Sequence, residues 1–392
     1  MKEPKINNLL IVSHVVHYKW DNALYAYSPY AREIDIWADL FPQVTIAAPL
    51  RNEKPPSDCL SFSRTNIEIS PQLERGGNTL KDKVIQVLSL PFLLAGLGKA
   101  MSKADAIQVR CPGNLGLLGV ILAPLFSCYR VAKYAGQWNG YEGEARSYRL
   151  QRRILGSRWW NAPVTVYGEW PNQPHHVIPF FTSLLTGTQI ERAKRNAENK
   201  YKHHTLSVLF VGRLTPEKNI HVLLKAQKLL IDKEVKIESR IIGDGPMRHS
   251  LEQQVKMMGL NMEDVLVGGL PFEKVLENYE WADVLVLASE TEGWPKAIAE
   301  AMAFGVVCIG SNRGLVPQML AEGRGLLVEP GDEIALASTL HEIAIGKIDF
   351  ASMSNKASEW AQHYSLDGLR DAIRDLLIRE WHLSAAELRK VS

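Results

Sequence analysis

Glu292 and Glu300 flank Pro295 in the stretch Ser289 to Gly305, and Arg213 and Lys218 lie well upstream in Gly212-Arg213-Leu214-Thr215-Pro216-Glu217-Lys218-Asn219. On one continuous helix the two carboxylates would sit about 12 Å apart along the axis and poorly aligned. If the helix starts near Pro295, Glu292 projects instead over its N-terminal end. Free backbone N–H groups and a positive dipole make that end a seat for phosphate. Cations fixed nearby would stabilise the charge that develops on a diphosphate as its bond to a sugar breaks. The simpler alternative makes Glu292 a solvated loop residue, Glu300 a helix surface charge, and both cations solvated.

These residues need strand ends to hold them. Asp283 to Ala288 and Val306 to Gly310 read as buried strands around the helix, with Pro295 at its first position and Gly305 just past its end. Ser207 to Val211, Lys236 to Ile242 and Val265 to Val267 read as further strands. Their ends lead into Gly212, into Gly243-Asp244-Gly245-Pro246 and into Gly268-Gly269-Leu270-Pro271. The glycines there keep side chains away from a ligand, and bare backbone near Gly269 and Leu270 suits a base edge. Each could equally be a tight turn. Upstream, Leu9 to Ser13, Val44 to Ala48, Ala106 to Arg110, Tyr129 to Tyr134 and Val164 to Gly168 alternate with helical stretches such as Pro29 to Phe41, as βαβ units do. His14 to Ser28 reads as a loop, and Arg51 to Lys81 as a polar stretch with Gly76-Gly77. Gln189 to His204 is charge-dense without an apolar period and reads as a linker. Asp367 to Leu383 is an amphipathic helix. Two α/β halves joined in this way suggest a cleft, with ligands beyond the carboxyl ends of the strands.

Composition narrows the class. The 392 residues hold Lys+Arg 45 against Asp+Glu 43, which argues against a dedicated nucleic-acid binder. Cys59, Cys111, Cys128 and Cys308 form no CxxC pair, which fits a reducing compartment and no zinc site. Met1-Lys2-Glu3-Pro4 leads straight toward a strand, so no signal peptide is expected. No apolar run reaches the roughly 18 residues of a membrane span. Val84 to Leu97 and Leu115 to Phe126 are expected as buried helices, with shallow membrane contact the lesser alternative. There is no P-loop, no GxGxxG after the first strand, no HExxH and no Gly-x-Ser-x-Gly.

The series Gly212-Arg213…Glu217-Lys218, Gly243-Asp244-Gly245-Pro246, Glu292-Gly293…Glu300-Ala301-Met302-Ala303…Gly305 and Gly323-Arg324-Gly325…Pro330-Gly331-Asp332 resembles family 4 retaining glycosyltransferases (glycosyl transferases group 1). The resemblance covers about 205 to 340 in order. It implies a GT-B fold of two Rossmann-like doubly wound domains facing across a cleft. The domains would be 1–195 on the acceptor side, 196–366 binding the donor, and 367–392 a helix crossing back. It implies Glu292, Arg213 and Lys218 as catalytic residues, with Glu292 near the reacting carbon of the sugar. Donor contacts would come from Glu300 (on the ribose), Gly212, Gly245, Gly269, Leu270, Gly293, Trp294, Lys296 and Ala297. It implies no cofactor and no metal.

The N-terminal half departs from the family pattern: His14-Val15-Val16-His17 replaces a Gly-rich loop, and Gln137-Trp138-Asn139 stands where a histidine is common. His14, His17, Gln137 and Trp138 are the acceptor-side candidates, against ordinary loop or core roles. A metal on the His pair lacks a third ligand at suitable spacing. Trp138, Trp159, Trp160 and Trp170 could stack on sugar rings or pack inside. Arg149, Arg152, Arg153 and Arg158 could meet anionic lipid or a lipid-linked diphosphate, or form a solvated face. The expected activity is retaining transfer from a nucleoside-diphosphate sugar to a glycan or lipid-linked saccharide in envelope or exopolysaccharide assembly. The alternatives are a sugar-nucleotide epimerase of the same fold and a non-catalytic nucleotide-sugar-binding protein. The expected place is the cytoplasm, with a peripheral position at the inner membrane face as an extension.

Overall fold

The computed structural model describes residues 6–74, 80–141, 143–200 and 204–383. The Met1 to Pro4 start, Gly76-Gly77 and residues 201–203 of the expected linker lie outside the described residues. The chain forms two units, residues 1–181 with 366–392 and residues 182–365.

In the first unit Asn8–Val12 lies between Gln43–Arg51 and Ala106–Cys111, all parallel. Tyr129–Tyr134, Val164–Tyr167 and Val177–Phe180 extend the sheet beyond Ala106–Cys111, and Ile67–Gln72 pairs with Gln43–Arg51. Leu9, Leu10, Ile11 and Val12 are all fully buried, as a parallel sheet covered on both faces requires. One face is covered by Ser28–Leu40 and the last helix, Leu366–Trp381, whose Leu369, Ile373, Leu377 and Trp381 share a core with Ile34, Trp37 and Phe41. Burying each such side chain contributes about 1.5–3 kcal/mol. The Trp381 ring lies 6.3 Å from Phe41, and its Nε1–H donates to the Arg130 carbonyl at 3.3 Å.

The other face is covered by Leu80–Met101, Asn114–Leu122 and Arg146–Leu155, around Leu97, Val120, Leu155 and Trp160. The first of these helices is not buried as expected, since it leaves Val84, Leu88 and Phe92 exposed. Its sequence is so uniformly apolar that no period marks the side facing water. The expected loop His14 to Ser28 also differs, because it contains the hairpin His17–Trp20 with Ala23–Tyr27. Asp21 and Asn22 both have positive φ, 46° and 61°, as a two-residue type I′ turn demands.

The second unit is a parallel sheet in the order Leu266–Gly268, Ile237–Ile242, Leu206–Val211, Val284–Leu287, Val307–Ser311, Gly325–Val328. The order reverses between Leu206–Val211 and Val284–Leu287, the switch point at which open α/β sheets bind ligands. The expected linker is instead mostly the helix Gly187–Glu198 of this unit. Thr186 and Gln189 close a capping box at its start, and Asn196 Nδ2 donates to the Phe304 carbonyl at 2.8 Å. Its buried stripe is Ile190, Ala193 and Ala197, at helical spacing on an otherwise polar helix, a period that the density of charge around it concealed. The crossings therefore fall at 181/182 and 365/366 and not at 195/196 and 366/367.

Candidate functional site

The loops that leave the second unit's strands are bonded into one floor. Gly212 N donates to the Ile242 carbonyl at 3.0 Å, Leu214 N to Asp244 at 2.9 Å, and Gly243 N to Gly268 at 2.9 Å. At Gly243, φ is +143°, and a Cβ would stand 1.8 Å from the Gly212 carbonyl oxygen. Only glycine lets the two loops meet. A Cβ on Gly245 would stand 2.5 Å from the Leu214 carbonyl oxygen, whereas Gly269 has nothing within 4 Å of its would-be Cβ and is exposed beside half-buried Leu270.

At the switch point Pro216–Lys218 makes a 3-10 turn into Asn219, whose φ is +50°. Buried Asn219 donates through Nδ2 to the Ala288 carbonyl at 3.1 Å and to Glu290 Oε1 at 2.6 Å, and Glu290 N donates to the Glu217 carbonyl at 2.8 Å. This stitching holds Lys218 Nζ 2.5 Å from Glu292 Oε1. Arg213 stands exposed on the same loop. Glu292 is therefore a nearly buried, ion-paired carboxylate and not a solvated one. Its backbone is held from the far side: Leu315 N donates to the Glu292 carbonyl at 3.3 Å. Gly314, with φ +58°, approaches so closely that a Cβ would stand 2.1 Å from that oxygen.

Beyond Gly293, Trp294 stacks on Trp360 at 6.3 Å and meets Tyr364 edge-on at 5.3 Å. Pro295 caps the helix Lys296–Ala303, one position earlier than expected, and Gly305 follows with φ +74°. The first intrahelical bond runs from Ile298 N to the Pro295 carbonyl at 3.0 Å, so the N–H groups of Lys296 and Ala297 precede it. Glu300 is buried and not a surface charge; Tyr279 Oη–H donates to its Oε2 at 2.9 Å. Burial and that carboxylate hold the Tyr279 phenol well above its usual pKa, which keeps it a donor. Glu300 lines a small pocket with Thr182, Ser183, Trp294, Lys296 and Tyr364. Sequence reasoning missed Asn219, Tyr279 and Gly314. Asn219 carried a signal, since asparagine tolerates a left-handed conformation better than most residues.

In the first unit His14 lies after the central strand, packed so that a Cβ on Gly113 would stand 2.5 Å from its Nδ1. Desolvation and the charge of Arg110 lower its pKa. His17 does not fit the acceptor role expected for it. It is fully buried in the hairpin, edge-on to Tyr30 at 5.4 Å and stacked on Phe62 at 5.8 Å, with Nδ1 2.9 Å from the Val15 carbonyl. Burial, only partly offset by carbonyls of Val15 and Pro49, pushes its pKa down to about 4. Trp138 is likewise a core residue, buried edge-on to Tyr134 at 5.4 Å, while Gln137 beside it is half-buried. Trp160 is buried and Trp159 exposed. A triad unseen in the sequence lies nearby: Glu33 binds Arg110 at 2.6 Å and Lys133 at 2.8 Å. Burial alone would raise the Glu33 pKa, but the two cations outweigh it and hold the carboxyl well below its usual range. Among the described residues, no group of three or more His, Cys, Asp or Glu is placed to hold a metal ion.

Residues 191–360, all within the second unit, match the family model described as glycosyl transferases group 1. The chain is 30% identical over 186 residues to the "Amylovoran biosynthesis glycosyltransferase AmsK" of Erwinia amylovora, a match covering 44% of this chain and 46% of that protein. It is 33% identical over 187 residues to the "GalNAc-alpha-(1->4)-GalNAc-alpha-(1->3)-diNAcBac-PP-undecaprenol alpha-1,4-N-acetyl-D-galactosaminyltransferase" of Campylobacter jejuni, covering 46% of this chain and 48% of that protein. The matches thus span about half the length of these relatives. Over 96% of this chain and 100% of the other, the fold is similar to a sucrose-phosphate synthase from Thermosynechococcus elongatus, with a TM-score of 0.68 at 19% identity. The two doubly wound units are a GT-B fold.

Proposed function

We propose that the chain is a family 4 retaining glycosyltransferase that moves a sugar from a nucleoside-diphosphate sugar to a glycan or lipid-linked saccharide in envelope or exopolysaccharide assembly. The observation that carries this reading is the Lys218–Glu292 ion pair at the strand-order reversal of the second unit. It sets a cation and a carboxylate side by side, with the N–H groups of Lys296 and Ala297 next along the chain. The group 1 match over the same unit supports it, as do the glycan-building names of the relatives. On this reading the diphosphate lies against Arg213, Lys218 and the helix start, the ribose at Glu300, and the base near Gly269 and Leu270. Lys218 is shared between the diphosphate and Glu292, which accepts from sugar hydroxyls. As the bond from the anomeric carbon to phosphate breaks, the acceptor oxygen bonds the same face and its proton passes to the leaving phosphate. Arg213, Lys218 and the helix dipole supply the charge that a metal could otherwise give, so the reading includes no required metal or cofactor. Four free thiols accord with the proposed cytoplasmic location.

Thermal shift with UDP, GDP, ADP and their sugar derivatives identifies the donor, because a ligand of the folded state raises its melting temperature. Incubation of that donor without an acceptor should give at most slow hydrolysis. Free conversion to an isomeric nucleotide sugar would make the chain an epimerase, and binding without transfer to any acceptor would make it a binding protein.

A further inference from the structure

The helices Leu80–Met101, Asn114–Leu122 and Arg146–Leu155 share one core against the first unit's sheet, each touching the next. Their outer sides therefore belong to one layer. Val84, Leu88 and Phe92, one stripe at i, i+4 and i+8, are 58%, 69% and 71% exposed. Leu125, at the end of the turn after the second helix, is also exposed, with Ile121 and Phe126 beside it. On the third helix Arg146, Arg149, Leu150 and Arg153 are exposed on one face, followed by Arg158 and Trp159. Past Asp82 in the opening turn of the first helix, residues 84–101, 114–126 and 146–160 contain no Asp or Glu, in a chain whose acids nearly equal its bases. Glu144, just before the third helix, is buried and paired with Arg152 at 2.5 Å and with the exposed Arg149 at 3.7 Å.

We propose that this helical layer docks the protein on an anionic lipid bilayer. Val84, Leu88 and Phe92 enter the boundary between headgroups and acyl chains, and the arginines meet the anionic headgroups. The missing carboxylates select a uniformly anionic partner over a protein surface of mixed charge. The exposed leucine and phenylalanine select a bilayer over a polyanion, to whose phosphates they contribute nothing. Among the described residues no helix is long and apolar enough to cross a membrane, so the contact is peripheral. The surface uses none of Lys218, Glu292 or Glu300 and stands independently of the donor site.

The test is sedimentation of the full chain with phosphatidylcholine vesicles, with and without phosphatidylglycerol. Binding should require phosphatidylglycerol and weaken with salt. It should weaken about tenfold or more in Leu88→Ser/Phe92→Ser and in Arg149→Glu/Arg153→Glu. Failure of the wild-type chain to bind anionic vesicles overturns the proposal. Dependence on the arginine pair alone also overturns it and identifies a polyanion site. Loss of a dimer in the apolar pair, with vesicle binding unchanged, overturns it in favour of an interface between copies. Melting temperature and nucleotide-induced thermal shift are measured on each variant, and the exposed arginine pair carries the test if the apolar pair unfolds. Vesicle binding without any nucleotide shift leaves docking standing and removes the donor reading.

Discussion

Lys218 and Glu292 stand 74 positions apart in the chain and 2.5 Å apart in space. The pair belongs to neither of its loops alone. Asn219 fastens one loop to the other from beneath, and Gly314 and Leu315 press on the Glu292 backbone from the far side. Among the described residues Lys218 is the side chain bonded to this carboxylate, which fixes its direction, as the proposed role of orienting a sugar requires.

Lys218→Ala leaves Glu292 largely buried without its partner and, on the proposed function, removes a cation from the diphosphate. Transfer should fall roughly 10²–10³-fold, the usual cost of losing one transition-state donor. Glu292→Gln should keep nucleotide binding and lose transfer. Single-turnover rates beside nucleotide thermal shifts separate the two effects, and near-wild-type transfer by folded Lys218→Ala would remove the site assignment.

Asn219→Ala loses two hydrogen bonds, one to a carboxylate, and leaves a Cβ-bearing residue in a left-handed conformation. A stability loss of about 2–3 kcal/mol is expected. Asn219→Gly relieves only the backbone part, so urea unfolding should rank Asn above Gly above Ala. Equal values for Gly and Ala would show that the left-handed geometry carries no weight.

Gly314→Ala puts a methyl 2.1 Å from the Glu292 carbonyl oxygen, so the loop must move. A displacement near 1 Å can cost about 10²-fold in rate, and kcat/KM should fall by that order. The fall should exceed any change in melting temperature, which distinguishes a misplaced carboxylate from general unfolding.

His17 should make the first unit weaken in mild acid. Its folded pKa of about 4 lies below the usual 6.5. Between those values the unfolded chain takes up a proton that the folded chain refuses, so stability falls as pH drops through this window and levels off below it. The full effect is about 3 kcal/mol. His17→Phe should flatten stability between pH 6.5 and 4, and an unchanged slope would mean that His17 is not the group responsible. Glu33 works at lower pH, since its depressed pKa makes its contribution present above the usual carboxylate range and lost below it.

Much of the second unit was legible in the sequence because its strand-end loops are built from residues whose types are restricted by backbone geometry and charge. Gly243, Gly245 and Gly305 take conformations that few other residues tolerate, and Lys218 and Glu292 stand at strand ends that the apolar runs already marked. The helix Gly187–Glu198 was missed because its density of charge reads as a linker, although Ile190, Ala193 and Ala197 follow a helical spacing. The hairpin at His17 was hidden because an Asp-Asn turn was read as part of a long loop.

The sequence by itself determined the alternation of strands and helices, the strand-end residues and the apolar stripe of the last helix, since these follow from local period and side-chain type. Only the tertiary structure decided which of those residues meet. That Glu292 pairs with Lys218, that Tyr279 holds Glu300, that His17 and Trp138 are core, and that Val84, Leu88 and Phe92 face water all depend on which strands lie side by side. Strand order is set by long-range packing of two sheet faces, and no local pattern of residues encodes it.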